Sequence, residues 1–234
     1  MDRVLQLQDL NVNYGKTLAL KGVNLDIPKG KIVGILGPNG SGKTTLIKTI
    51  VGLLSGYTGK ISIAGHPPGP DANAHISYLP DRSHLPTWFT ADQTIAFFAD
   101  FYKDFDKDRA HAMLESMKIP TSKKLKTLSR GMREKVQLAL VMSRRADLYV
   151  LDEPIGAVDP ASREFIVETI LKNFPEGSSI VLSTHIIADI ESVLDMAVFL
   201  KKGEIVLHDD VDNIRTEHGT SLDGLFREVF RNVF

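Results

Sequence analysis

The stretch Gly37-Pro38-Asn39-Gly40-Ser41-Gly42-Lys43-Thr44-Thr45 decides the fold of this 234-residue chain. It fits the pattern G-x-x-x-x-G-K-[ST], in which a glycine-rich turn joins a strand to a helix. Residues 31–36 form a short apolar run that predicts a buried strand, and residues 44–54 place apolar side chains at helical spacing. An ordinary glycine-rich loop is the alternative, and it is disfavoured because both flanks have the required character.

A turn of this kind can bind phosphate groups. Its glycines let backbone N–H groups converge on phosphate oxygens, and the N-terminus of the next helix adds a partial positive charge. Lys43 is expected to reach the terminal phosphates, and the Thr44 hydroxyl to join the shell of a Mg²⁺ ion. The sequence therefore predicts a site for a nucleoside triphosphate, formed by Gly37, Asn39, Gly40, Ser41, Gly42, Lys43, Thr44 and Thr45.

The composition is typical of a globular protein, with 43% hydrophobic and 24% charged residues. A net charge of −1 gives no overall basic field, so we expect no nucleic-acid partner. The chain has no cysteine, which excludes disulfides and agrees with a reducing cytoplasm. Residues 1–6 lack the apolar core of a signal peptide, and no apolar run approaches the ~20 residues that span a bilayer. Any membrane role is therefore expected to depend on a separate partner.

Strand-like and helix-like segments alternate along the chain, which predicts an α/β fold with a largely parallel sheet. Residues 1–30 are expected to form strands joined by tight turns. About residues 81–145 are helical in character and are predicted to be inserted between two strands of the sheet. After residue 211, an apolar stripe at helical spacing predicts a helix that the domain itself or a second subunit must cover. This stripe consists of Leu222, Leu225, Phe226, Val229, Phe230 and Val233.

Two acids, Asp152 and Glu153, follow an apolar strand and have a specific use beside a phosphate loop. Asp152 is expected to hold Mg²⁺ opposite Thr44, and Glu153 to polarise the water that attacks the γ-phosphate. Alone, such a pair is weak support for a catalytic site, because two adjacent acids often cap a helix or lie in solvent. The presence of Lys43 upstream makes the functional interpretation the favoured one.

Further motifs follow the phosphate loop in a fixed order, namely Leu128-Ser129-Arg130-Gly131-Met132, Leu151-Asp152-Glu153, Val158-Asp159 and Ser183-Thr184-His185. Over residues 3–208 the chain thereby resembles the ATP-binding subunit of an ABC transporter. The combination is specific, because other P-loop families lack the serine-glycine signature. The resemblance implies a P-loop NTPase with a mainly parallel sheet, an N-terminal antiparallel β subdomain and an inserted helical subdomain. It also implies an ABC-type ATP-binding domain at 1–210, leaving an amphipathic helical tail at 211–234.

The resemblance assigns roles to individual residues. Tyr14 lies where the family stacks an aromatic ring on adenine, although packing at a strand end is an equal alternative. Ser129 and Gly131 match the signature that binds the γ-phosphate of the opposite subunit, so hydrolysis would require a dimer. His185 matches the switch histidine, and with Glu153 and Lys43 it completes the expected catalytic set. Asp159 matches the loop that links the two sites, and it is also a natural helix cap.

Three residues depart from the family pattern. Arg130 and Met132 replace a glycine and a glutamine of the signature. The arginine either adds a charge that helps to hold phosphate or faces solvent. The methionine cannot hydrogen-bond as an amide does, so we expect weaker or altered closure there. Asp81 stands where the family commonly has a glutamine that senses both the metal and the membrane partner. Its carboxylate can still bind Mg²⁺, but it brings negative charge close to the γ-phosphate.

A transmembrane permease subunit and a second copy of the chain, or a homologous ATPase subunit, are the expected partners. Residues 84–105 are rich in aromatics, most of which we expect in a helix core, with Trp88 and Phe89 nearest the groove for the permease. The implied function is that of an ATP-hydrolysing motor subunit of a bacterial exporter, most like the bacitracin and antibiotic-peptide group. It would lie in the cytoplasm, on the inner face of the membrane. An ATP-dependent regulatory clamp and a soluble ABC ATPase without a transport role remain the alternatives.

Overall fold

A computed structural model describes residues 2–156 and 158–231, apart from the side chain of Ala161. The N-terminal part forms a three-stranded antiparallel sheet in the order β2-β1-β4. Its strands are β1 (Arg3–Tyr14), β2 (Thr17–Pro28) and β4 (Tyr57–Ile63). Apolar residues alternate along these strands, so one face of the sheet is buried.

A six-stranded sheet forms the centre of the molecule, with the order β5-β6-β7-β3-β8-β9. All neighbouring strands are parallel except for β9, which runs antiparallel to β8 in a hairpin. The strands are β3 (Ile32–Leu36), β5 (Ile76–Leu79), β6 (Leu148–Asp152), β7 (Ser179–Thr184), β8 (Met196–Lys201) and β9 (Glu204–Asp210). Strands β6 and β7 are buried along their whole length, as expected for a parallel sheet covered on both faces.

Helices connect and cover the sheets. They are α1 (Lys43–Ile50), α2 (Pro70–Ala74), α3 (Ala91–Phe101), α4 (Lys107–Ser116), α5 (Arg130–Met142), α6 (Pro160–Lys172), α7 (Val211–His218) and α8 (Leu222–Phe230). Helices α3, α4 and α5 lie between β5 and β6, where the sequence predicts a helical insertion. The α/β fold with its antiparallel β subdomain is thus confirmed. In the described part of the chain, no helix is long and apolar enough to cross a membrane.

The tail packs on the central sheet. Phe226 and Phe230 of α8 lie 5.6 and 5.8 Å, between ring centroids, from the fully buried Phe199 of β8. Leu222 and Leu225 are buried as well, so the chain itself covers the apolar stripe. Val233, the last member of the predicted stripe, lies outside the described residues.

The aromatic residues between 88 and 105 are not a helix core, and that expectation is wrong. The exposed fractions of Trp88, Phe97 and Phe101 are 66%, 54% and 70%. The remaining four, Phe89, Phe98, Tyr102 and Phe105, are half-buried. The buried core of the helical insertion consists of aliphatic residues such as Ile95 and Leu114, and Phe98 and Phe105 are only partly buried against it.

Candidate functional site

The phosphate loop leaves the carboxyl end of β3 and enters α1 at Gly42. A Cβ atom at Gly37 would come within 2.5 Å of the Leu200 carbonyl oxygen, so this position has no room for a side chain. Gly42 precedes the helix with a φ of 112°, a conformation open to glycine. Two of the predicted glycines are therefore required by the geometry of the loop itself.

Lys43 is buried inside the loop. Its Nζ donates to the carbonyl oxygen of Gly37 at 2.7 Å and lies 3.3 Å from Glu153 Oε1. The buried Ser41 hydroxyl has no hydrogen-bond partner among the described residues. Since buried polar groups are nearly always satisfied, this hydroxyl marks a place where a ligand oxygen would fit.

Asp152 ends β6 beside the loop. Its Oδ1 accepts hydrogen bonds from the hydroxyls of Thr44 at 3.3 Å and Ser183 at 2.7 Å. Burial raises the pKa of the Asp152 carboxyl, and the negative charges of Asp81 and Glu153 raise it further, although the two hydroxyl hydrogen bonds oppose the shift. The other oxygen, Oδ2, is buried and has no partner among the described residues.

These oxygens fit a Mg²⁺ ion. Magnesium in nucleotide sites commonly takes one or two protein oxygens and completes its shell with water and phosphate. Thr44 and the unsatisfied Oδ2 of Asp152 supply such oxygens, and Asp81 lines the same small cavity of about 30 Å³ as Asp152. Within residues 2–156 and 158–231, no cluster of three His, Cys, Asp or Glu could hold a metal by protein ligands alone.

Glu153 has an unusual backbone conformation. Its φ of 50° lies in the left-handed region, which costs a non-glycine residue of order 1–3 kcal/mol. The Glu153 N–H donates to both the hydroxyl and the carbonyl oxygen of Ser183, which hold this conformation. The carboxylate thereby lies 3.1 Å from His185 Nδ1 and close to Lys43. Backbone strain of this kind is concentrated at functional sites.

A cleft of about 440 Å³ lies on the outer side of the loop. It is lined by Tyr14, Thr17, Leu18, Ala19, Lys21, Gly40, Gly42, Lys43, Thr44, Thr45 and Lys202. The exposed fraction of Tyr14 is 50%, so its ring is accessible from the cleft. The structure thus places Tyr14 and the phosphate loop on one surface, as the sequence predicts.

The signature residues lie apart from this surface. Ser129 caps α5, where its hydroxyl accepts a hydrogen bond from the N–H of Met132 at 3.2 Å. A Cβ at Gly131 would meet no other atom within 4 Å. Neither residue is among the described residues that line the two cavities at the loop. Arg130 forms an ion pair with Glu134 of its own helix at 2.9 Å.

The sequence-based prediction assigns no role to some residues of the site. Lys21 and Lys202 add positive charge to the cleft, and Glu134 and Gln137 of α5 line the cavity beside Asp152. Ser183 contacts both acids, as described above. A hydroxyl residue at the end of an otherwise apolar strand was the available signal for Ser183, whereas the lysines belong to no motif.

The predicted helix cap at Asp159 is confirmed, since its carboxylate accepts a hydrogen bond from the N–H of Ser162 at 3.1 Å.

The fold and the loop define a P-loop protein that binds nucleotide, and comparisons with known proteins narrow the class. The family model for ABC transporters matches residues 20–156, more than half of the chain. The uncharacterized ABC transporter ATP-binding protein YdbJ of Bacillus subtilis is 31% identical over 86% of this chain and 68% of its own length. The linearmycin resistance ATP-binding protein LnrL of the same organism is 29% identical over 87% of this chain and 68% of its own length.

A solved structure of an ATP-binding subunit of an ABC transporter superimposes with a TM-score of 0.87. It is 30% identical in sequence, over 96% of this chain and 98% of that one. The chain therefore belongs to the ABC transporter family, as an ATP-binding subunit. It is an ATPase of the ABC type, and the corresponding prediction from the sequence is confirmed.

Proposed function

We propose that the chain is the ATP-hydrolysing motor subunit of an ABC exporter and works through a separate transmembrane permease. The convergence of Lys43, Asp152, Glu153 and His185 at the phosphate loop carries this proposal. Three neighbouring strands, β6, β7 and β3, deliver these groups at their carboxyl ends, where nucleotide sites of α/β proteins form.

Each of these side chains has a role that its contacts support. Lys43 binds the terminal phosphates, because its ammonium group lies within the phosphate loop, where it donates to the Gly37 carbonyl oxygen. Glu153 acts as the general base toward the attacking water, and His185 orients its carboxylate through the 3.1 Å contact. Thr44 and Asp152, with Asp81 nearby, would hold Mg²⁺, which neutralises charge on the phosphate oxygens when bound.

The second half of the catalytic site comes from another copy of the chain. Ser129 and Gly131 present a hydroxyl and the N-terminus of α5 on a surface that does not line their own nucleotide cleft. A helix N-terminus with an accessible hydroxyl is suited to binding phosphate oxygens. Two copies arranged head to tail would therefore place each signature on the γ-phosphate that the other copy binds.

The permease binds the exposed aromatic surface formed by Trp88, Phe97 and Phe101. Exposed clusters of large apolar side chains commonly mark sites of protein association. Backbone hydrogen bonds from Leu125 to Phe89 and from Lys126 to Thr87 hold this surface against the segment that precedes the signature helix. Binding of the permease here places the chain on the inner face of the membrane and ties the permease to the nucleotide site. The likeness to LnrL, which is named for linearmycin resistance, supports export as the direction.

Light scattering on the full chain carrying Glu153→Gln tests the two-copy site. This variant should bind ATP without hydrolysing it, so we expect its mass to double with ATP and to remain that of a monomer with ADP. A double variant that carries Gly131→Glu in addition to Glu153→Gln provides the control. The space around Gly131 accommodates a side chain within one copy, but a carboxylate there would repel the γ-phosphate of the other copy.

The control variant should bind ATP and remain monomeric. A constant mass for Glu153→Gln, at ATP concentrations that saturate the site, would contradict the two-copy site. That result would favour an ATP-dependent clamp on a different partner.

A further inference from the structure

Ser183 connects the two acids of the site through a single hydroxyl group. Its Oγ donates a hydrogen bond to Asp152 Oδ1 at 2.7 Å and accepts one from the N–H of Glu153 at 3.0 Å. Ser183 is fully buried and is paired directly with Asp152 in the parallel ladder between β6 and β7. A serine hydroxyl can donate one hydrogen bond and accept another at the same time, as Ser183 does between the two acids.

The two hydrogen bonds act on different properties of the site. The bond to Oδ1 fixes the rotation of the Asp152 carboxylate, which leaves Oδ2 turned away from Ser183. The hydrogen bond from the Glu153 N–H restrains the backbone of Glu153, whose φ of 50° is unfavourable for a residue other than glycine. The carbonyl oxygen of Ser183 accepts from the same N–H at 3.1 Å, so the hydroxyl is one of two restraints on this backbone. Loss of the hydroxyl weakens the restraint and lets the Glu153 carboxylate shift from its position beside His185 and Lys43.

We propose that Ser183 is a positioning residue for ATP hydrolysis: its hydroxyl sets the orientation of Asp152 and the backbone conformation of Glu153 together. The proposal rests on the roles assigned above to Asp152 and Glu153. Ser183 itself contacts neither phosphate nor water in the reaction. It lies two residues before His185, so the end of β7 carries the residue that aligns the base, and the switch histidine follows directly after the strand.

A packing role is the alternative, because a buried serine at the end of a strand also fills space. The pair Ser183→Thr and Ser183→Val separates the two roles. Threonine and valine have nearly the same shape and both favour strands, but only threonine keeps the hydroxyl. Ser183→Ala removes the hydroxyl without adding volume. Ser179→Ala is the matched control, because Ser179 is a buried serine in the same strand that bonds to Gly30 and Pro28 at the opposite end.

The experiment measures kcat and KM for ATP, equilibrium binding of ATP with and without Mg²⁺, and the melting temperature of the full chain. Ser183→Ala and Ser183→Val should lose about 10- to 100-fold in kcat, since a small displacement of a reacting group has effects of this size. Their KM should change less than kcat, and the gain in ATP affinity on adding Mg²⁺ should shrink. Ser183→Thr should recover most of the kcat of the wild type. Ser179→Ala should melt at a lower temperature but keep the kcat of the wild type.

Equal kcat values for the threonine and valine variants, or for wild type and Ser183→Ala, would overturn the role of Ser183. The same conclusion follows if the fall in kcat is proportional to the fall in melting temperature and if Ser179→Ala shows the same proportion. A wild-type chain that hydrolyses no ATP would instead overturn the proposed function on which this inference depends. The two failures are therefore distinguishable in one set of measurements.

Discussion

At the scale of single residues, replacement of Tyr14 tests the predicted adenine contact. Tyr14→Ala should weaken ATP binding by about 1–3 kcal/mol, the range measured for stacking of a base on an aromatic side chain. Tyr14→Phe keeps the ring and should bind ATP nearly as well as the wild type. Equilibrium titration with ATP measures both. An unchanged affinity for Tyr14→Ala would show that adenine binds elsewhere, and an equal loss in both variants would point to the hydroxyl instead of the ring.

The sequence predicts which side chains the site needs but not how they are held. Lys43, Asp152 and Glu153 follow from motif spacing, because a P-loop reaction requires a cation and carboxylates at these points. The left-handed backbone of Glu153 and its support by Ser183 do not follow, because they depend on contacts between two strands whose residues are 31 positions apart in the chain. Such contacts are set by the tertiary fold and have no local signal.

At the scale of elements, prediction from the sequence succeeds where a pattern is local. The strand–loop–helix unit, the helical insertion and the tail helix are all found, because periodicity and turn residues mark them. The strand order is not readable in this way, since β3 pairs with β7 and β8, which are far away in the chain. The expectation for the aromatic residues at 88–105 is wrong because apolar composition does not distinguish a buried face from an exposed one.

Besides its apolar packing, the tail is held by a carboxylate, that of Glu191 in the short 3₁₀ turn after His185. It accepts hydrogen bonds from the N–H groups of Leu222 and Asp223 at the start of α8, and from Arg215 of α7. Although burial, the largest single influence, raises the pKa of Glu191, these hydrogen bonds together lower the pKa below the ordinary 4.5. The ionised carboxylate therefore stabilises the folded state above pH 4.5, and this stabilisation is lost as the pH falls from there through the folded pKa.

Glu191→Gln should accordingly lower the free energy of unfolding at neutral pH by about 1.5–3 kcal/mol, the range for hydrogen bonds to a charged group. The difference from wild type should shrink in acid, where Glu191 of the wild type becomes protonated. Urea denaturation at neutral pH and below pH 4.5 measures this dependence. Glu217→Gln, an exposed change of the same kind in α7, should have little effect at either pH. A loss independent of pH would show that packing, not charge, carries the role of Glu191.

At the scale of the whole molecule, the carboxyl ends of β3, β6 and β7 bring the proposed catalytic side chains together, and the antiparallel sheet adds Tyr14 to the cleft at the phosphate loop. The signature on α5 and the exposed aromatics lie on other surfaces, which is consistent with a protein that works between partners. The class of fold was predictable, because the order of the motifs along the chain is specific to one family. How two copies and a permease combine depends on contacts between different chains, which no local pattern in one sequence encodes.

Release of phosphate from ATP by the purified full chain tests the central claim most directly. The wild type should turn over ATP only with Mg²⁺ present, and Glu153→Gln should be at least about 100-fold slower, as expected for loss of a general base. Glu168→Gln, the same change at an exposed residue of α6 paired with Lys172, should match the wild type. Equilibrium binding should show that Glu153→Gln still holds ATP. A wild type without turnover above background, or a Glu153→Gln variant as fast as the wild type, would contradict the account.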